Sequence, residues 1–174
     1  DAIVLRAGGR VSTISTRAPA DRDSGSLAVR RDWQPMVGHV GVEWAASENV
    51  SLLANADRSF RAPNLDDLTS RQQTGPGFQF ENAALRPESA TTLEVGTSVR
   101  SRVASVDAWG FVTRIDDVVG KMPMEVGACP LDTPQCQASW FRYQLTNGSG
   151  TAQLMGLELA LKLNQILLTA QKHF

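Results

Sequence analysis

Nowhere in the 174 residues does an unbroken apolar run approach the ~20 residues that a membrane-spanning helix needs. A helical span is therefore excluded. A basic surplus is missing too: 17 Lys and Arg stand against 18 Asp and Glu, a net charge of -1. That balance argues against a nucleic-acid partner, which is usually met by a basic patch or stripe. Histidine is scarce. His39 and His173 lie far from each other and from the two cysteines, and two cysteines make only half of a structural zinc site. No metal site and no cofactor are expected. Cys129 and Cys136 fall in the turn-rich loop "CPLDTPQC". They read as a disulfide, which implies an oxidising compartment, with two free thiols as the alternative. The start at Asp1 has neither a charged n-region nor an apolar h-region, so no signal peptide is read there. A mature or excised chain has the same look.

Catalytic constellations are lacking as well. Asp66–Asp67 and Asp116–Asp117 are adjacent pairs, and neighbours in a strand point to opposite faces. "DRDSG" (Asp21 to Gly25) lacks the later acidic ligands of a calcium loop. No enzyme is expected.

What the chain does have is alternation of period two. In "VGHVGVEW", Gly38, Val40, Val42 and Trp44 share one face, and His39, Gly41 and Glu43 the other. In "TLEVGTSVR", Leu93, Val95, Thr97 and Val99 alternate with Glu94, Gly96, Ser98 and Arg100. In "MGLELALKL", Leu157, Leu159, Leu161 and Leu163 alternate with Gly156, Glu158, Ala160 and Lys162. This is the mark of strands with one apolar and one polar face. From Leu154 to Ala170 the residue types also suit a helix. Further strands are expected over Ile3 to Ser15, Val50 to Ser59, Val103 to Val119 and Trp140 to Leu145, about seven in all. In Val50 to Ser59, Leu53 joins the polar face of Asn55 and Asp57, and Arg58 joins the opposite one.

Connections differ in length. "AASEN" (Ala45 to Asn49), "SR" (Ser101 to Arg102) and "NGSG" (Asn147 to Gly150) read as short turns. Thr16 to Pro35, Arg61 to Ala90 and Gly120 to Ser139 are long and polar. Short turns at one end and long loops at the other are the habit of transmembrane β-barrels, whose strands cross with ~9–11 residues. Trp44, Phe60, Trp140, Phe141 and Tyr143 suit aromatic girdles. The same facts fit a soluble β-sandwich with core aromatics, and pattern alone leaves the two level.

Motifs separate them. "SFRAPNLDDL", with Phe60, Arg61, Ala62 and Pro63, resembles a segment of TonB-dependent outer-membrane receptors. "ENAALRPESATTLEVG" resembles the family's next run, carried here by Asn82, Leu85, Pro87, Glu88, Glu94 and Gly96. "WGFVTRIDDVV", "LMGLELALKL" and "RAGGRVS" are similar to further barrel strands of that family. The resemblance covers about residues 3–163.

The resemblance implies an all-β fold, an antiparallel up-and-down meander forming an incomplete segment of a transmembrane β-barrel. It implies an outer-membrane location in a Gram-negative bacterium, with outer-membrane lipid as a partner. It implies import of a scarce ligand, such as an iron–siderophore complex, with energy from TonB reached through parts of the parent that this chain lacks. The small-molecule ligand is not identified. A passive pore and a soluble extracellular β-sandwich binding module are the alternative readings. His39, Glu43, Glu94 and Glu158 are expected to face the lumen, and Val40, Val42, Val95, Leu157 and Leu159 the lipid. Residues 1–163 read as the partial barrel and 164–174 as an atypical tail. Ser24, Gly75 and Thr133 mark loops expected outside the cell.

Overall fold

In a computed structural model the described residues are 2–23, 25–74, 77–124 and 141–163. Cys129, Cys136, Trp140, Ser24, Gly75, Thr133 and the tail from 164 lie outside them.

The alternating stretches become strands, as their β-branched and apolar content favours. In chain order they are β1 (Ala2–Val11), β2 (Ile14–Ala18), β3 (Val29–Trp33), β4 (Met36–Ala45) and β5 (Val50–Arg61), then a short helix α1 (Leu65–Thr69). There follow β6 (Gln72–Thr74), β7 (Gly77–Phe80), β8 (Glu88–Arg100), β9 (Ala104–Asp116), β10 (Val119–Pro123), β11 (Phe141–Asn147) and β12 (Ala152–Leu163). Among the described residues helix is therefore confined to one five-residue turn, and the Leu-rich segment Ala152–Leu163 is strand.

Six strands form one open antiparallel sheet, in the order β1-β4-β5-β8-β9-β12. Each neighbour in space is the next long strand in sequence, so this wall is an up-and-down meander. Among the described residues β1 and β12 are its unpaired edges. The central pair, β5 and β8, keeps register without interruption from Val50↔Val99 to Arg61↔Glu88.

At one end the wall turns tightly. Ser47 N–H donates to Val50 O at 3.1 Å, and Ser101 N–H to Ala104 O at 2.8 Å. At the other end all three connections are long, and their described residues carry strands of their own. The first is the β2–β3 hairpin, which continues β1 and β4 in the same register: Val11↔Met36 is followed by Ile14↔Trp33. The ladder breaks between them at Pro35, which has no N–H to donate. Ile3 to Ser15 is thus nearly one strand, and Thr16 to Pro35 is a hairpin rather than a plain loop.

"NGSG" requires a correction. It is no turn at the short end. Val119 pairs with Asn147 and Ile115 with Ala152, so residues 116–118 oppose 148–151 within one antiparallel excursion. One extra residue makes a bulge. Asp117 takes positive φ (57°), and Gly148 N–H donates to Val118 O at 2.8 Å. The Asn-Gly signal marks that kink. Phe141 and Tyr143, in β11, accordingly stand in the long-loop region and not in the wall.

The second and third long connections join through a parallel pairing of β7 with β11, giving a small sheet β10-β11-β7-β6. The buried apolar residues of the described chain lie here, not in the wall. Val29, Leu68 and Leu85 form a core, with Ala18, Trp33, Ala83, Val119 and Leu145 packed around it. All three connections contribute.

The wall is two-faced. One row runs Leu5, Val42, Ala54, Val95, Gly110, Leu157 from edge to edge, wholly apolar. Leu157 is 90 % exposed and Val95 64 %. A sandwich would bury this face against a second sheet, and among the described residues none covers it. The apolar band is slanted relative to the strand register. On β4 it runs from Met36 to Trp44, centred on Val40, which aligns across the sheet with Met155 of β12. On β12 its outer edge is Met155, level with Val40 and so four residues further towards the short turns than Met36, the outer edge on β4.

Candidate functional site

Two places gather the residues that the sequence singles out: the polar face of the wall, and the junction between the wall and its long connections.

Alternation and register put His39, Glu43, Glu94 and Glu158 on one face, opposite Val40, Val42, Val95, Leu157 and Leu159. One row of this face reads Arg6, Gly41, Asn55, Glu94, Phe111, Gly156, and the next Val4, Glu43, Leu53, Gly96, Trp109, Glu158. Arg6 Nη1 donates to Glu43 Oε2 at 3.1 Å, and Asn55 Nδ2 to Glu94 Oε2 at 3.5 Å. Thr92 and Thr113 share a hydroxyl hydrogen bond of 2.9 Å.

Trp109 and Phe111 also stand here, which the sequence did not disclose. Their rings lie across glycines of neighbouring strands. A Cβ on Gly96 would come within 2.5 Å of the Trp109 ring, and one on Gly156 within 2.6 Å of Phe111. Gly96 is therefore a seat for an aromatic ring. The usable signal was a pairing of glycines with aromatics across strands, and it needs the register to be seen. Together Asn55, Glu94, Trp109, Phe111 and Glu158 line an open groove that offers carboxylates beside aromatic faces.

The junction is built from the two motif segments. Arg61 ends β5 and Glu88 begins β8, directly opposite in register. Arg61 Nη1 donates to Glu88 Oε2 at 2.8 Å, and Nη2 to Asp67 Oδ2 at 2.9 Å. Pro63 stops the ladder, and Asn64 starts α1 with a capping box: Asp67 N–H donates to Asn64 Oδ1 at 2.7 Å, and Asn64 N–H to Asp67 Oδ2 at 3.0 Å. The helix turns Leu68 into the core, where it is fully buried beside Leu85. Glu88 also accepts from Val119 N–H at 2.7 Å. This carboxylate lies beyond the apolar band. Burial pushes its pKa up, but the Arg61 hydrogen bond, the Val119 N–H and the Arg61 charge outweigh burial, and the net pKa is lowered.

Residues 82–86 tie the remaining connections together. Asn82 Nδ2 donates to Leu145 O at 2.7 Å. Arg86 N–H donates to Asn147 Oδ1 at 2.8 Å, and Asn147 Nδ2 to Arg86 O at 2.9 Å and Asp117 O at 2.7 Å. Arg86 also pairs with Asp117, and Arg31 Nε donates to Ala83 O. Asn147, missed by the sequence reading, is the hub of this latch. None of these groups is arranged as nucleophile, base and oxyanion donor.

Leu85→Ala should loosen all three connections at once. Removing a fully buried leucine costs about 2–5 kcal/mol. Limited proteolysis of the full-length protein should cut faster between 62 and 87, while strands β5 and β8 keep their protection. Unchanged proteolysis would show that the shared core does not hold the connections.

A family model described as "TonB dependent receptor-like, beta-barrel" matches residues 1–171. No curated protein sequence matches significantly. Among solved structures, the hemophore receptor HasR of Serratia marcescens is similar with TM-score 0.64 at 16 % identity, covering 94 % of this chain and 28 % of that one. The copper transporter OprC gives 0.64 at 21 %, covering 95 % and 25 %. The FrpB iron transporter of Neisseria meningitidis gives 0.61 at 17 %, covering 94 % and 21 %. The chain thus spans about a quarter of the length of these structures.

Proposed function

The chain belongs to the TonB-dependent receptor β-barrel family, and we propose that it forms one part of the wall and outer vestibule of a receptor that imports a scarce ligand. Its location is the outer membrane of a Gram-negative bacterium. The imported ligand is a small molecule of the iron–siderophore kind, and TonB supplies the energy through other parts of the receptor. The observation that carries this reading is the two-faced wall with every long connection at one end. The apolar face meets lipid. The opposite face, with His39, Glu43, Glu94 and Glu158, lines the lumen. The latch around Arg61, Glu88 and Asn147 holds the long connections as one body above it. Its role is architectural, so ligand contact belongs to the groove by Trp109 and to the tips of the connections.

A passive pore is the competing reading, and energy dependence separates the two. Uptake by the full receptor should stop when TonB is deleted, whereas uptake that persists would favour a pore.

Orientation has its own test. Single cysteines at Arg22 and Gln72, both exposed on long connections, should react with an impermeant maleimide on intact cells. Cysteines at Ser47 and Arg102, on the tight turns, should react only after the outer membrane is permeabilised. The opposite labelling pattern would invert the topology.

A further inference from the structure

Arg58 is out of keeping with its face. Outward positions along β5 read Val50, Leu52, Ala54, Ala56, Arg58, Phe60, so the guanidinium stands within an apolar series. Its register row runs Gly9, Gly38, Arg58, Thr91 and Arg114. Arg114 is already paired, its Nε lying 3.1 Å from Asp116 Oδ1. Arg58 is exposed and has no ion-pair partner among the described residues. Beside it Gly38 and Gly9 present no side chains, leaving a shallow trough. Beyond the trough Met36 and Val11 are 68 % and 67 % exposed. An arginine at the margin of hydrocarbon is costly unless it meets an anion, and a planar guanidinium matches a phosphate with two parallel hydrogen bonds.

We infer that Arg58 and the Gly9–Gly38 trough bind a phosphate-bearing lipid of the leaflet next to the long connections. The phosphate pairs with Arg58, with the Thr91 hydroxyl on its far side. An acyl chain leaves it over Gly38 and Gly9 towards Ala7 and Val40, in the direction of the band's centre, with Met36 and Val11 beside the headgroup. A free phosphate ion could use Arg58 but not the apolar trough, which is why a lipid is the occupant. The inference rests on the wall being in lipid, as proposed above.

The test uses the full-length receptor that carries this chain, purified from its own membrane in mild detergent, with bound lipid read by mass spectrometry. The unaltered protein should retain a phosphate-bearing lipid. Arg58→Gln should lower that retention about tenfold, the loss of one well-formed charged contact. Arg58→Lys should keep part of it. Arg100→Gln, on the polar face at the opposite end, should change nothing. Equal retention by Arg58→Gln and the unaltered protein would overturn the site, and so would displacement of the lipid by excess inorganic phosphate. A photo-crosslinking residue at Met36 or Val95, with Arg58 intact, gives an arm that does not depend on assembly of the variant. Both should capture lipid, and Met36 a phosphate-bearing one. Lipid captured at Val95 but no phosphate-bearing lipid at Met36 removes the site and leaves the wall. Capture at neither position removes the wall as well.

Discussion

Residues 1–174 produced alone, with a signal peptide attached, should give no heat-modifiable barrel and restore no ligand uptake. The wall has six strands, whereas outer-membrane transporters close with about 22. Among the described residues its first and last strands, β1 and β12, each leave one whole side unpaired. In hydrocarbon every unsatisfied backbone group costs several kcal/mol, so two open edges of this length cannot be borne. In water the same edges template strand addition, and the apolar face offers nothing to stop aggregation. The outer region differs, since its core of Val29, Leu68 and Leu85 closes within the segment. The expected result is an aggregate whose edge strands exchange amide hydrogens early. The experiment is a heat-shift gel and an uptake assay in a strain lacking its own receptor for the ligand. Heat-modifiable migration together with uptake would show that six strands suffice.

Val95→Arg in the full receptor should cost about 2–4 kcal/mol of barrel stability, the penalty for a cation near the membrane midplane. Val95 lies in the row in which all six strands present apolar residues outward, in the middle of the band on β8. Ala160→Arg, on the opposite face and beside Asp107 in register, should cost almost nothing. Ser98, the comparison position that alternation alone suggests, is a poor choice. It is only 5 % exposed and its hydroxyl is buried without a partner among the described residues, so an arginine there would overpack the site. Urea titration of folded protein in vesicles measures both variants. Equal destabilisation would mean that the faces are misassigned, because a shift of one residue exchanges them.

The wall was legible because one buried or lipid-covered face forces strict alternation, and alternation survives in the sequence whatever the rest of the chain does. Val40, Val95 and Leu157 could be aligned on that ground alone. Long connections were legible as polar segments but not as structure. Their order comes from contacts between segments far apart in sequence, such as Asn82 with Leu145 and Arg86 with Asn147. "NGSG" shows the limit well. Asn-Gly favours both a tight turn and a bulge, and only the pairing of Ile115 with Ala152 and Val119 with Asn147 tells which. Trp109 and Phe111 were hidden for a similar reason. An aromatic on a polar face is unremarkable until the glycine beneath it, on another strand, is known.

The slanted apolar band has a geometric consequence. Bilayers are flat, so if the band marks the bilayer, its slope across the register measures how far the strands lean from the membrane normal. Between β1 or β4 and β12 the band's outer edge drops four residues, from the level of Met36 to that of Met155. At ~3.3 Å per residue and ~4.8 Å per inter-strand step, that is an inclination of about 30–35°. Barrel strands typically incline by ~35–45°. Leaning strands take up more room side by side, so the six would cover about 35 Å of circumference. In a cylinder of about 22 strands they form a little over a quarter of the perimeter. That arc fixes how wide a gap the remaining strands must span to close the ring.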